Sequence, residues 1–276
     1  MTALAAETGT GTGTGTGTVD EPGPARQLGR VVAAEWVKAR SVPSTWSAIG
    51  SCLFIMATIG AAISSIEDEG PGAPRSEPLL QAMAGISMAQ VAVGVLGALL
   101  VTGEYSSRSI TGTLTAVPQR GTLLAGKATL LVLLLAPFAL LGCTAAVLTS
   151  LPVLRSRGTT TLDLTSPEVV RAVLAMTLFL VLTALLGLAV GALLRSTAGA
   201  VVVLTGLLFL LPVLVELLPG LRDTVGPWLP SQAGAAVLVL GDRDGYLSPA
   251  AGMLLVTGYV ALALVAAAVR LRRSDA

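Results

Sequence analysis

No histidine occurs anywhere in these 276 residues. That single absence removes histidine-based zinc sites, Ser-His-Asp triads and haem ligation by histidine. Cysteine is nearly as scarce. Cys52 and Cys143 both fall within apolar stretches, where they read as small buried side chains and not as a disulfide or a metal pair. Charge is thin too, with Asp, Glu, Lys and Arg making up 12% of the chain. No GxSxG, CxxC or GxGxxG pattern appears. Residues Gly121–Lys127, GTLLAGK, match the first seven positions of a phosphate-binding P-loop, but the eighth is Ala128 where magnesium needs Ser or Thr. No strand pattern precedes them and an apolar run follows. The chain therefore reads as one with no nucleotide site, cofactor, metal or catalytic centre of its own, and no nucleic-acid partner is expected.

What the sequence has in abundance is long hydrophobic runs. Apolar residues make up 53% of it, and its mean hydropathy is +0.82, far from an ordinary soluble domain. A spanning helix needs about 20 mostly apolar residues at 1.5 Å rise each. The stretches Trp46–Ile66, Leu79–Thr102, Ala128–Leu151, Ala172–Leu194, Ala198–Leu218 and Ala250–Val269 qualify. The expected fold is all-α: a polytopic membrane protein with six transmembrane helices. The third run is the surest span, rich in Leu, Val and Phe and without an Asp, Glu, Lys or Arg. The second is diluted by Gln81, Ser87, Gln90 and several glycines, and suits contact with other helices better than contact with lipid.

Splitting the 17 basic residues by side orients the chain. With the N-terminus inside, Arg26, Arg30, Lys38, Arg40, Arg108, Arg120, Lys127, Arg195, Arg270, Arg272 and Arg273 are cytoplasmic, against Arg75, Arg155, Arg157, Arg171, Arg222 and Arg243 outside. This positive-inside bias places both termini in the cytoplasm. The expected location is the cytoplasmic (inner) membrane of a bacterial cell, with the lipid bilayer as first partner.

Four regions follow. Residues 1–26, where Thr and Gly alternate from Thr8 to Thr18, cannot bury a core and read as a disordered tail without a signal peptide. Residues 27–45 hold an interfacial amphipathic helix from Gln27 to Ser41. Its stripe is Leu28, Val32, Trp36 and Ala39, and Glu35 and Val37 blur the pattern. Trp36, Lys38 and Arg40 are its membrane-interface anchors, ring at headgroup depth and cations near anionic lipid. Pro43 then breaks the chain before the first span. Residues 46–269 form the six-helix domain and 270–276 a basic cytoplasmic tail. Thr165-Ser166-Pro167-Glu168 gives a helix start before the fourth span. The apolar piece Ala233–Leu240 is too short to cross and reads as re-entrant or interfacial.

Few polar groups lie in the spans. Glu216 stands near the outer end of the fifth, one turn beyond Pro212, where snorkelling to the interface is the plain reading. Gln90 is in mid-span, and an interhelical hydrogen bond explains it more cheaply than a substrate contact. Gln90, Pro212 and Glu216 are nonetheless the candidate pathway or gate residues. Gly187 and Gly191 form a GxxxG that reads as close helix packing.

Between the second and third runs lies the long polar interruption Gly103–Lys127, GEYSSRSITGTLTAVPQRGTLLAGK. Helix–helix connections usually take about 2–8 residues, so this loop is built to do more than turn. Ile110, Leu114 and Val117 fall at helical spacing, with Arg108 and Arg120 flanking them.

Glu104, Tyr105, Ile110, Leu114, Pro118 and Arg120 resemble the corresponding loop of type-2 ABC transporter permeases, although Arg108 and Ser109 stand where that family commonly has Gly-Thr. Glu35-Trp36-x-Lys38-x-Arg40-Ser41 before the first span and Leu194–Ala200 between the fourth and fifth agree with the same family. The resemblance runs from about Arg26 onward. It implies a permease subunit of exporter class. Its first cytoplasmic loop would be a coupling helix seated on a separate ABC ATPase subunit, through Glu104, Tyr105, Arg108, Ile110, Leu114, Val117, Pro118 and Arg120. It also implies a second permease chain, identical or a paralogue, as partner. An ion-coupled secondary carrier is the alternative, with Glu216 and Pro212 its only hint. An intramembrane enzyme lacks a pair of polar groups at one depth.

Overall fold

The computed structural model describes residues 24–41, 43–66, 78–106, 120–156, 158, 163, 165–239 and 246–273. Every regular element among them is helical. Six helical segments are long and apolar enough to cross a membrane, with windows at Ile49–Ile66, Ile86–Tyr105, Gly121–Ser156, Pro167–Leu194, Thr197–Glu216 and Pro249–Arg273. They are called spans one to six. A leading helix, Pro24–Ser41, precedes span one, which begins at Pro43 where the missing N–H suits a first helical turn.

Span four is the centre of the bundle and the most buried. Its start follows from local chemistry: Ser166 accepts from the N–H of Val169, Pro167 opens the helix, and Glu168 lies in the first turn. Its end is the left-handed residue Arg195, φ 54°, whose N–H donates to Gly191 O. Ser196 at once caps the next helix by accepting from Gly199 N at 3.2 Å. Two residues thus turn the chain, and spans four and five run antiparallel side by side.

Spans two and four meet along their small residues. A Cβ at Gly187 would overlap the carbonyl oxygen of Gly94, one at Gly97 would overlap that of Ala184, and one at Gly191 would stand 2.8 Å from Ala98 O. The GxxxG of span four therefore has its partner in the Gly94/Gly97/Ala98 ridge of span two, and side chains absent on both helices let the backbones touch.

Span two is shorter than its apolar run. Pro78–Ala82 is a separate helical turn, residues 83–85 form a bend, and the long helix starts at Ile86. At that bend a Cβ on Gly85 would come within 2.6 Å of Met56 O, so the backbone lies directly on span one. The polar interruption is also narrower than its composition. Among the described residues, helix reaches Ser106 on one side of it and covers Arg120 onward on the other, and both Glu104 and Lys127 are held inside the protein.

Span five contains a π segment, Gly206–Leu210, just before Pro212. Beyond it, residues 219–239 form short helical turns that fold back on the bundle. Gly234 lies against the ring of Phe179, Gly252 of span six against Ala233 O, and Tyr259 Oη donates to Trp228 O at 2.9 Å. The expected Ala233–Leu240 piece is described as far as Val239. It is a helical turn and a 3-10 turn, and residues 236–239 are buried.

Candidate functional site

At the end of the bundle where spans two and three approach residues 107–119, charged side chains from three helices converge. Lys127, in the second turn of span three, is 2% exposed. Its Nζ donates to Glu104 Oε1 at 2.7 Å, to Glu35 Oε1 at 2.9 Å and to Leu100 O at 3.3 Å. Glu104, at the last turn of span two, also takes Lys38 of the leading helix as an ion-pair partner. Two cations and two carboxylates thus balance, with Lys127, Glu35 and Glu104 buried and Lys38 half exposed at the rim. A lysine could not stay charged there without its carboxylates, since isolated charges are expensive to bury.

The leading helix is rotated accordingly. Val31 and Glu35 form its buried face, and Val31 lies where a Cβ on Gly126 would collide with it. Glu35, which seemed to blur the expected stripe, points into the protein, while Trp36 of the stripe is partly exposed on the surface. Lys38, expected among lipid headgroups, is turned to Glu104, and Arg40 is exposed. Residues 121–127 are helical throughout, and their lysine is committed to carboxylates. Next to this cluster the guanidinium of Arg195 lies over the ring of Tyr105, 5.5 Å from its centroid, joining the end of span two to the turn between spans four and five.

Of the expected coupling residues, Glu104 and Tyr105 are in this cluster, and Arg120 begins the helix of span three. Arg108, Ile110, Leu114, Val117 and Pro118 lie outside the described residues. Reading the sequence missed Glu35 and Lys127. The available signal was a lone lysine at the edge of an apolar run, which asks for a carboxylate partner.

The three candidate pathway residues come together at the opposite end. Gln90, Pro212 and Glu216 line one cavity of about 460 Å³ between spans one, two, four and five and the folded-back segment. Gln90 Nε2 donates to Leu208 O at 3.1 Å, the interhelical bond its position predicts. Proline supplies the reason: residue 212 has no N–H to offer the carbonyl four positions earlier, which is that of Leu208. Glu216 is half exposed and pairs with Arg222 at 3.3 Å.

Compared with known proteins, the chain matches no family model and no curated sequence. Fold and sites define a class: a polytopic helical membrane protein with six candidate spans.

Proposed function

We propose that this chain is the membrane-spanning subunit of an ATP-driven transporter, an exporter by its resemblance to type-2 ABC permeases, powered by a separate ATPase and working as a pair of permease chains. Both termini and residues 107–119 face the cytoplasm. Glu104 and Lys127 carry this reading. They stand at the two feet of the 107–119 connection and close on each other and on Glu35 and Lys38. A push on that connection therefore moves spans two and three and the leading helix together, as a coupling element requires.

Within the connection, Ile110, Leu114 and Val117 offer an apolar stripe to the ATPase, with Arg108 and Arg120 steering toward its acidic groups. Leu114→Asp places a charge in that contact and leaves every span intact. Expected is loss of ATPase co-purification, or ATP hydrolysis without transport, at normal membrane levels of the permease. Unchanged co-purification and transport would remove the connection from this role.

A further inference from the structure

The cavity at the Glu216 end has a bias in its hydrogen-bonding capacity. Its polar lining is Ser87, Gln90, Glu216, Ser231, Gln232 and Tyr246, set among apolar residues such as Phe179 and Phe209. Ser87 has already given its hydroxyl proton to Ala84 O at 2.6 Å. Gln90 has given both amide protons, to Ser87 O at 3.3 Å and Leu208 O at 3.1 Å. What remains to each is an acceptor. Gln90 is 4% exposed, and its Oε1 has no partner among the described residues. Such an acceptor sits unsatisfied until a donor arrives. Glu216 adds a carboxylate, which only accepts. Its partner Arg222 is exposed and outside the lining, and an exposed pair of this kind is weak enough to exchange. Among the described residues no lysine or arginine lines the cavity.

We propose that this cavity binds an organic ammonium: an apolar body, seated among the aromatic and aliphatic walls, bearing a charged N–H donor directed at Glu216 and the Gln90–Ser87 acceptors. Ser231, Gln232 and Tyr246 keep protons that a neutral or anionic group could accept, so it is the Glu216 carboxylate, with no lysine or arginine in the described lining, that disfavours an anionic ligand. The cavity follows the pattern of small-molecule sites, mostly apolar walls with a few convergent polar groups. That the occupant is cargo rests on the transport reading above; that it binds does not.

Binding is measured on the full chain alone, in phosphatidylcholine nanodiscs with empty discs subtracted. The probes are fluorescent dansyl compounds with a propylammonium, a propanol or a propionate arm. The ammonium probe is expected to bind at least tenfold more tightly than the propionate, with the alcohol between them. Glu216→Gln, at a half-exposed position, is expected to narrow the ammonium–alcohol gap at least threefold. Glu216→Lys is expected to reverse the ranking of ammonium and propionate. Equal or tighter propionate binding by the unaltered chain, or the same ranking in Glu216→Lys, overturns the proposal, as does the absence of saturable binding of any probe. Discs containing phosphatidylethanolamine, whose headgroup is itself an ammonium, separate two sources of the ligand. Competition with the probe assigns the cavity to that lipid, and undiminished binding assigns it to free amines. Because no ATPase is present, failure here leaves the coupling reading standing, and loss of the coupling reading leaves this binding intact.

Discussion

At one end of the bundle, buried Lys127, Glu35 and Glu104 close on one another with half-exposed Lys38 at their rim; at the other, Ser87, Gln90 and Glu216 stand around a cavity with acceptors to spare. The same kinds of side chain are put to opposite uses. Charges that find each other fix a geometry, since separating them strands a charge in a poor solvent. Acceptors whose own protons are spent fix nothing further and wait for a donor. Span two belongs to both ends, because Glu104 lies fourteen positions beyond Gln90, about 21 Å along a helix at 1.5 Å per residue. Its Gly94/Gly97/Ala98 ridge is set against span four between them. Span two is therefore the element that ties the clamp at one end to the cavity at the other.

The largest effect is expected at the clamp. Lys127→Met leaves Glu35 without its cation while Glu104 keeps Lys38. Removing one partner of a buried pair costs about 3–5 kcal/mol. This reads as a lower unfolding midpoint of the purified protein in detergent. Adding Glu35→Gln removes the stranded carboxylate, so the double variant is expected to be more stable than Lys127→Met alone. A neutral Lys127→Met, or a double variant weaker than the single, would erase the contrast between the two ends.

Next comes the ridge that sets span two against span four. Gly187→Leu drives a side chain into the backbone of Gly94 and should cost about 1–3 kcal/mol or more through overpacking. Gly258→Ala in span six is the control, since nothing lies within 4 Å of its added methyl. There the helix should gain roughly 0.5–1 kcal/mol from the propensity of alanine. Equal responses at the two glycines would mean that spans two and four are not held backbone to backbone.

Much of this was legible in the sequence, and what escaped shares a cause. Spans are visible because apolar runs of spanning length are a one-dimensional signal. The Ser166-Pro167-Glu168 start and the GxxxG of Gly187 and Gly191 are local chemistry. The clamp is none of these. Glu35, Glu104 and Lys127 come from three helices, and their meeting depends on how the leading helix is rotated about its axis. The apolar stripe chosen for it put Glu35 among the exceptions, although a carboxylate can be the most buried contact on a face when a lysine opposes it. Likewise, Gln90 announced an interhelical bond, but the carbonyl it would choose was set by Pro212 on another span.

That last relation gives the smallest and sharpest test. Gln90→Leu removes the donor to Leu208 O, a loss of about 0.5–1.5 kcal/mol for a neutral hydrogen bond. In a Pro212→Ala background the peptide N–H of residue 212 is restored and can take the same carbonyl, so the cost of Gln90→Leu should shrink. The two changes are therefore expected to be non-additive, with a coupling on the order of 0.5 kcal/mol or more in unfolding cycles. Additive costs would mean that Gln90 does not stand in for the missing proline donor. Its amide protons would then be free to face the cavity. The acceptor bias of the Glu216 end would weaken, and with it the difference from the clamp.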